Sequence, residues 1–468
     1  MQVVRSLNEN QHTAYLVGGC VRDLMVGLHP KDFDIVTSAR PGQIRRIFRN
    51  SRAIGRRFRL VHVFWGNQVL EVSTFRAPPE PVSDRKGGKD SANLLISRDN
   101  VYGSPRDDAN RRDFTLNALF YDLRDDEIID HVGGLADIKR GIIRSIGRPE
   151  IRFQEDPVRM IRALKFQGKL GFELHPDVER SIRKYRNEFK KTAPARDLEE
   201  LFKILSCGFS REVVELLDEY RFLDFFLDTL LDEIPDPADP DSLFWRMLAS
   251  LDAADAGRRQ VGNVVLLGTM LYPLLDPDGS MVRDGASSPV RDLTGWVYEA
   301  VKDSAILSHC SRQNVDHLAT ILSMLGRLPR LGQPRLKVQS LLRRDCFADA
   351  LALYRITLDA LGMEPSILEE WIDIAVEENV DLSGYFGEYL PDVPPAAPGE
   401  FPVRATVVSR SSLGKGRPEG RSSRRDRGPP RGDSNGRSSH RDSGSAPRRE
   451  RSKRSRGRRA GGHSRRGR

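Results

Sequence analysis

The chain has 468 residues, of which 38% are hydrophobic and 30% are charged. No run of about 18 apolar residues occurs, so the sequence predicts no transmembrane helix, and Met1–Tyr15 lacks the apolar stretch of a secretory signal. The four cysteines are scattered and form no CxxC pair, which argues against a zinc site or a disulfide framework. We therefore expect a soluble, cytoplasmic protein with no membrane contact, long enough for two or more domains.

The charge is unevenly distributed along the chain. Residues 401–468 contain 22 Lys and Arg but 5 Asp and Glu, a net charge of +17, so residues 1–400 carry −8 of the chain's +9. Prolines from Pro391 onwards mark a linker, and from Ser409 the chain consists mainly of Arg, Ser and Gly. Such a composition predicts a disordered basic tail over 391–468, suited to RNA phosphates. A generic solubility or localisation tail is the alternative.

The remaining chain divides into two patterns. Strand and helix patterns alternate within residues 1–145: strands over 14–17, 33–37 and 128–131, helices over 21–26 and from Pro41, a hairpin of 60–64 with 69–75, and a mobile loop over 77–93. From about Glu150 the apolar period becomes helical and remains so. We therefore predict an α+β head over 1–145, followed by an all-α neck over 146–225 and an all-α body over 226–390.

The first candidate motif is GGCVRD, residues 18–23, at the junction of a predicted strand and helix. The turn at Gly18 and Gly19 would expose backbone N–H groups, and glycine permits close approach of a phosphate. Arg22 lies one turn into the helix and could reach the same anion. An ordinary strand–turn–helix connection is the alternative.

The second motif is KDFDI, residues 31–35. On a strand, Asp32 and Asp34 would point to one face and Phe33 towards the core. Two carboxylates this close repel unless a cation lies between them, and Mg²⁺ commonly binds one or two carboxylates together with substrate phosphates. The alternative is a solvated strand end.

Two further segments carry charged side chains near this predicted site. Glu71 lies within an apolar strand and could be a third metal-site carboxylate or the partner of a local arginine. The segment RRDFTLNA, residues 111–118, has the pattern of a loop that enters a helix. Its Arg112 could contact a triphosphate, and its Asp113 could lie near the metal or orient that arginine.

The last motif is EDPVRMIR, residues 155–162. Asp156, Arg159 and Arg162 are three residues apart, which predicts one shared helix face. An Asp–Arg pair can hydrogen-bond the edge of a base, because the carboxylate accepts and the guanidinium donates. An intrahelical salt bridge is the alternative.

Together and in this order, GGxVRD, DxD, RRDFTxNA and EDPxRxxR resemble the class II nucleotidyltransferase family, which contains the bacterial poly(A) polymerases and the CCA-adding tRNA nucleotidyltransferases. The matching segments run from about Tyr15 to Leu170, with weaker similarity to about Phe226. The resemblance implies a polymerase-β-like nucleotidyltransferase head with a mixed sheet, followed by a helical neck and body that bind nucleotide and RNA.

The resemblance also implies roles for individual residues. Asp32 and Asp34 would be catalytic carboxylates that bind the metal, and Asp113 would be a further catalytic carboxylate. The remaining residues would bind the nucleotide. The triphosphate contacts would be Gly18, Gly19, Arg22 and Arg112, and the incoming base would be recognised by Asp156, Arg159 and Arg162. The implied cofactor is Mg²⁺, with Mn²⁺ as a substitute, and the implied partners are ATP and RNA 3′ ends. No motif identifies a protein partner from RNA decay or an RNA chaperone.

Features of the poly(A) polymerase branch accompany the shared motifs. They are GRRFRL at 55–60, RDNVYG at 98–103 followed by DDA at 107–109, and the basic tail. Ser97 departs from that branch, which usually has two aliphatic residues before this arginine. We therefore expect template-independent addition of AMP from ATP to RNA 3′ ends, in polyadenylation that promotes RNA processing and decay. The alternatives are a CCA-adding or A-adding tRNA enzyme and, from another class, a non-catalytic RNA-binding protein.

Overall fold

A computed structural model describes residues 1–55, 59–66, 68–77, 101–228, 230–256, 261–302, 304, 306–386 and 404–407. Several sequence-predicted features therefore lie outside the described residues. They are Arg56–Phe58 of the GRRFRL motif, most of the predicted mobile loop, Ser97 and the start of the RDNVYG motif, and the predicted tail apart from 404–407.

Strands occur mainly in the first third of the chain. They are β1 (Ala14–Val17), β2 (Ile35–Thr37), β3 (Ser51–Ile54), β4 (Leu60–Trp65), β5 (Gln68–Thr74), β6 (Leu119–Asp122), β7 (Glu127–Asp130), β8 (Ile142–Ile143), β9 (Glu173–Leu174) and β10 (Arg404–Val407). Among the described residues, eight of them form one sheet in the order β10-β7-β6-β1-β2-β5-β4-β3, and β8 pairs with β9. The sheet is mixed, because β2 pairs in parallel with β5 and β10 with β7 while its other pairs are antiparallel.

Helices of the head cover both faces of this sheet. They are α1 (Gln2–Glu9), α2 (Gly19–Met25), α3 (Pro41–Ile47), α4 (Pro105–Arg111) and α5 (Gly134–Arg140). On one face, Val3 and Val4 of α1 and Ile44 of α3 join a core with alternate strand residues such as Val61 and Val72. On the other face, the rings of Tyr15, Phe75 and Phe120 lie within 6.0–6.4 Å of one another.

The rest of the described chain is almost entirely helical. The helices are α6 (Pro149–Glu155), α7 (Val158–Leu170), α8 (Pro176–Tyr185), α9 (Pro194–Leu205), α10 (Ser210–Glu219), α11 (Leu223–Phe226), α12 (Leu243–Ala256), α13 (Asn263–Leu275), α14 (Ser280–Arg283), α15 (Leu293–Lys302), α16 (Arg312–Leu325), α17 (Val338–Leu342), α18 (Phe347–Leu361), α19 (Ser366–Glu377) and α20 (Ser383–Phe386). Their apolar faces share one core, to which the head contributes Phe114, Leu116 and Ile143. Within the described ranges, no helix is both long and apolar enough to span a bilayer.

The predicted fold class, an α+β head with a mixed sheet followed by helices, is confirmed. Three local predictions need correction or addition. Phe33 does not enter the core: it precedes β2 in an irregular segment and is 38% exposed. Asp156 ends α6 with φ −153°, so it does not share a helix with Arg159 and Arg162. Arg404–Val407, inside the predicted tail, pairs with β7. The domain boundaries at 145, 225 and 390 remain predictions.

Candidate active site

A cleft of about 660 Å³ lies where the catalytic-side loops of the head meet α7 and α9. Every predicted site residue except Glu71 lines it, in the set Gly18, Gly19, Arg22, Asp32, Asp34, Arg112, Asp113, Asp156, Arg159 and Arg162. These residues come from four separate motifs of the sequence. The cleft therefore brings together the motifs that the sequence left apart.

Asp32 and Asp34 line the cleft where the chain enters β2. The Asp34 carbonyl oxygen accepts a hydrogen bond from the Val17 N–H at 3.0 Å, which fixes this segment beside the end of β1. Both side chains are reachable by water from the cleft. Burial on the other sides and the carboxylates of Glu71 and Asp32 raise the pKa of Asp34 to about 6, against the effect of Arg112. Crowded carboxylates of this kind are the donors that a divalent cation binds.

Glu71 lies beside Asp34 at the end of a cross-strand row. Ile35 pairs with Val72 in the parallel register of β2 and β5, so the preceding residues Asp34 and Glu71 are neighbours on the same side. The Glu71 carboxylate is 3.3 Å from Nε2 of His62, which is its hydrogen-bond partner among the described residues. Among the described residues, no group of three or more carboxylate, histidine or cysteine side chains forms a ready metal cage.

The turn between β1 and α2 requires glycine. Gly18 has φ +79°, and a Cβ there would lie 3.1 Å from Nη1 of Arg112. Arg112 is fixed beside this turn, because its Nε and Nη2 donate to Asp108 at 3.1 and 2.9 Å and its Nη1 donates to the Asn117 carbonyl at 3.2 Å. The glycine thus allows a guanidinium to approach the turn that we predicted to hold phosphate.

Asp113 lies at the centre of a chain of polar contacts that crosses the cleft. It accepts from Nε and Nη2 of Arg162 at 2.8 and 2.7 Å, from Nδ2 of Asn117 at 3.0 Å and from the Phe114 N–H at 2.8 Å. Asn117 Oδ1 in turn accepts from Nη1 of Arg22 at 2.5 Å. Burial alone would raise the pKa of Asp113, but Arg162 and these hydrogen bonds hold it well below its usual range. Asp113 therefore joins Arg22 of the head to Arg162 of α7, and orients Arg162 rather than Arg112.

Asp156 is held by an arginine that sequence reasoning missed. Nη1 and Nη2 of Arg196, on α9, bond the two carboxylate oxygens at 2.6 and 2.8 Å. Nε of Arg159 is 3.9 Å from the same carboxylate, and its Nη1 bonds the Arg152 carbonyl at 3.1 Å. The tightest partner of Asp156 is thus 40 residues away, so the predicted intrahelical salt bridge is the minor contact.

Further cations line the neck side of the cleft. Lys165 contacts Glu200 at 2.5 Å, and Lys169 reaches Asp23 of the head at 2.8 Å. Lys165 and Arg162 lower the pKa of Glu200 to about 2 although burial opposes them. The sequence offered one weak signal for this set, the charged residues Arg196, Glu200 and Lys203 at helical spacing on a helix whose other face is apolar.

Comparison with known proteins agrees with this architecture. A family model described as "Poly A polymerase head domain" matches residues 14–144, and one described as "Probable RNA and SrmB- binding site of polymerase A" matches residues 171–233. Poly(A) polymerase I of Escherichia coli O6:H1 is 41% identical over 280 residues, which is 59% of this chain and 60% of that protein. The chain thus spans about 60% of the length of that relative.

A second group of relatives covers more of the chain. The CCA-adding enzyme of Lactobacillus johnsonii is 36% identical over 337 residues, which is 66% of this chain and 81% of that protein. The fold matches that of the Bacillus stearothermophilus CCA-adding enzyme in complex with CTP, with a TM-score of 0.54, 24% identity and 81% of each chain covered. The chain therefore belongs to the family of bacterial poly(A) polymerases and CCA-adding nucleotidyltransferases.

Proposed function

We propose that this protein transfers nucleotides to RNA 3′ ends without a template, and that it adds AMP from ATP as a poly(A) polymerase. One observation carries the proposal: a single cleft contains the crowded Asp32 and Asp34 carboxylates, the Gly18 turn and a wall of arginines and lysines. Carboxylates beside a cationic wall suit a reaction in which a hydroxyl attacks a phosphorus atom and an anionic group leaves.

In the proposed reaction, the RNA 3′-hydroxyl oxygen forms a bond to the α-phosphorus of ATP. The bond from that phosphorus to the bridging oxygen breaks, pyrophosphate leaves and the hydroxyl proton passes to solvent. Arg22 and Arg112 flank the Gly18 turn and neutralise the charge of the leaving pyrophosphate. The protein contributes positioning and charge stabilisation, with no covalent intermediate.

The donor set fits a divalent cation. Asp32 and Asp34 present hard oxygen ligands, and burial together with the carboxylates of Glu71 and Asp32 raises the pKa of Asp34, which a bound cation would oppose. Mg²⁺ bound there, or Mn²⁺ in its place, would lower the pKa of the attacking hydroxyl and stabilise the leaving oxygen, alone or as a pair of ions. Glu71, beside Asp34, is the candidate for a third ligand.

Recognition of the base would fall to Asp156 and Arg159. The carboxylate of Asp156 can accept from an exocyclic amino group, and a guanidinium can donate to a ring acceptor. Arg196 holds Asp156 in place with two bonds, which leaves the outer lone pairs of the carboxylate for a base. Asp113 accepts from Arg162 and is linked through Asn117 to Arg22, so we assign Asp113 and Arg162 positioning roles.

The alternative is addition of CCA or A to tRNA. The coverage of the Lactobacillus johnsonii CCA-adding enzyme, 81%, favours it, whereas the higher identity of the Escherichia coli Poly(A) polymerase I, 41%, favours poly(A) addition. A non-catalytic RNA-binding protein is the candidate from another class.

One experiment distinguishes the three. The purified protein is incubated with Mg²⁺ and each single nucleotide, on an oligo(A) primer and on a tRNA without its terminus. A long ladder from ATP on any primer supports poly(A) addition, and one to about three additions on the tRNA alone support the alternative. Absence of incorporation by the folded protein would contradict both.

The carboxylates are tested in the same assay. Asp34→Asn should lower incorporation at least about a hundredfold, the loss typical of one transition-state contact, while RNA affinity is retained. Asp125→Asn, in the exposed turn between β6 and β7, makes the same chemical change outside the cleft and should leave incorporation unchanged. Substantial activity of Asp34→Asn would overturn the metal-site assignment.

A further inference from the structure

An arginine-rich segment lies on the head outside the cleft. Residues 35–70 contain eight arginines and no Asp, Glu or Lys, although residues 1–400 together carry a net charge of −8. The segment runs through β2, α3, β3, β4 and the start of β5, at the sheet edge formed by β3. A concentration of one sign of charge within an acidic body is the pattern of a surface that binds an anion.

Four of these arginines are exposed and form no ion pair with any residue that the structure describes. Arg45, Arg46, Arg49 and Arg52 are all exposed to solvent. Within the ranges that the structure describes, none of the four forms a salt bridge or a side-chain hydrogen bond, whereas the arginines of the cleft do. Their charges are therefore available to a partner from solution.

A row of side chains connects this edge to the catalytic carboxylates. Arg52 pairs with His62 across β3 and β4, and His62 pairs with Glu71 across β4 and β5. Glu71 is the neighbour of Asp34, so the row Asp34–Glu71–His62–Arg52 crosses four strands on one face of the sheet. With strands about 4.8 Å apart, the row spans about 14 Å.

Apolar side chains lie on the same face beside this row. Phe64 pairs with Val69, and they are 37% and 51% exposed. An exposed aromatic ring next to unpaired arginines offers a surface on which bases stack while phosphates meet guanidinium groups. The Gly18 turn follows β1, which lies on the other side of β2 from β5, so a nucleotide bound at that turn would lie away from β5, β4 and β3.

We propose that the RNA strand upstream of the reacting 3′ end runs across β5, β4 and β3 to Arg52 and continues around the β3 edge to Arg45, Arg46 and Arg49, because α3 packs on the opposite face of the sheet. These four residues are the arginine edge. The inference rests on the proposed function, because it takes single-stranded RNA as the substrate. It adds a binding surface on the head, separate from the helical neck and from the basic tail. The recognition is of phosphates and base faces, and so tolerates many sequences.

The test uses the full chain and the triple variant Arg45→Gln/Arg49→Gln/Arg52→Gln. Its matched control is Arg5→Gln/Lys139→Gln/Arg140→Gln, which removes three exposed charges elsewhere on the head. Equilibrium binding of oligo(A) is measured by fluorescence anisotropy over a range of salt concentrations, without nucleotide. Three lost phosphate contacts should lower the slope of log K against log salt by about 2, since single strands contribute about 0.7 per contact.

Primer length separates binding from chemistry. With about 16 nucleotides of oligo(A) the triple variant should show a raised KM for primer, and with about 4 nucleotides it should match the wild type. Phe64→Ala should weaken binding of the long primer about tenfold. Melting temperatures equal to those of the wild type exclude a folding defect.

The binding and incorporation assays together distinguish failure of the proposed surface from failure of the proposed function. An unchanged salt slope and affinity in the triple variant overturn the proposed surface, even where the wild type extends the primer. Loss of affinity in a protein that incorporates no nucleotide supports the surface and contradicts the proposed function. Equal losses in the triple variant and the control show a general charge effect and overturn the surface.

Discussion

Arginine side chains are paired with carboxylates in the cleft but have no ion-pair partner among the described residues at the arginine edge. In the cleft, Arg112, Arg162 and Arg196 are each bonded to a carboxylate of the protein at 2.6–3.1 Å. At the edge, the guanidinium groups face solvent without acidic neighbours in the surrounding sequence. A carboxylate partner fixes the orientation of a guanidinium group, which suits a site that must position its substrate. An arginine without such a partner attracts phosphate from many directions.

The largest effect should come from breaking the central pair of the cleft. Arg162→Ala leaves the Asp113 carboxylate buried without its main counter-charge, which should lower the free energy of unfolding by about 3–5 kcal/mol. Denaturant unfolding measures this loss. Arg162→Ala/Asp113→Asn should recover part of it, because the neutral amide needs no counter-charge. A loss no larger than that of an exposed arginine would contradict the paired character of the cleft.

Acid should weaken the cleft through Glu200. Its folded pKa of about 2 lies below the usual value of 4.5, so its contribution to stability is complete above pH 4.5 and is lost as the pH falls towards 2. Glu200→Gln should lower stability at neutral pH and flatten the fall between pH 4.5 and 2. Glu369→Gln, an exposed change on α19, should leave the profile as it is. Thermal melts across this pH range give the comparison, and identical profiles for both variants would contradict it.

Nucleotide choice should depend on Arg196 as a positioning residue. Arg196→Ala frees Asp156 from its two bonds, which should lower kcat/KM for ATP about tenfold and narrow the preference for ATP over other nucleotides. Arg196→Lys keeps the charge but not the paired bonds, so it should restore stability more fully than selectivity. Single-nucleotide incorporation measures both, and unchanged selectivity in Arg196→Ala would remove Arg196 from base recognition.

The smallest effect on stability is expected at the arginine edge. Arg52→Ala removes an exposed, unpaired side chain, so the free energy of unfolding should change by less than about 0.5 kcal/mol. The same unfolding assay as for Arg162→Ala applies. A loss of several kcal/mol would show that the edge arginines are structural.

Sequence patterns predicted what is local, and the structure added what is long-range. The β4–β5 hairpin and the Gly18 turn follow from glycine and alternating apolar residues, so both were predicted. The motif order also selected residues that meet in one cleft. Arg196 was missed because its partner Asp156 is 40 residues away and no local pattern links the two.

The prediction for Phe33 failed for a different reason. Alternation places a residue inward only where a strand already exists, and β2 begins at Ile35. The arginine edge was visible in the sequence as a segment without acids, but its relation to Asp34 depends on strand register, which composition does not reveal. The roles of the cleft residues themselves remain predictions that the substitutions above test.

The pairing of β10 with β7 has a consequence for biosynthesis. The eighth strand of the sheet is translated only after the whole helical region, although its neighbour β7 belongs to the head. A nascent head that folds on the ribosome therefore carries an uncovered β7 edge until translation reaches Arg404–Val407. During that interval the open edge of β7 can pair with a strand from another chain. Pairing of β10 with β7 therefore also prevents intermolecular strand pairing.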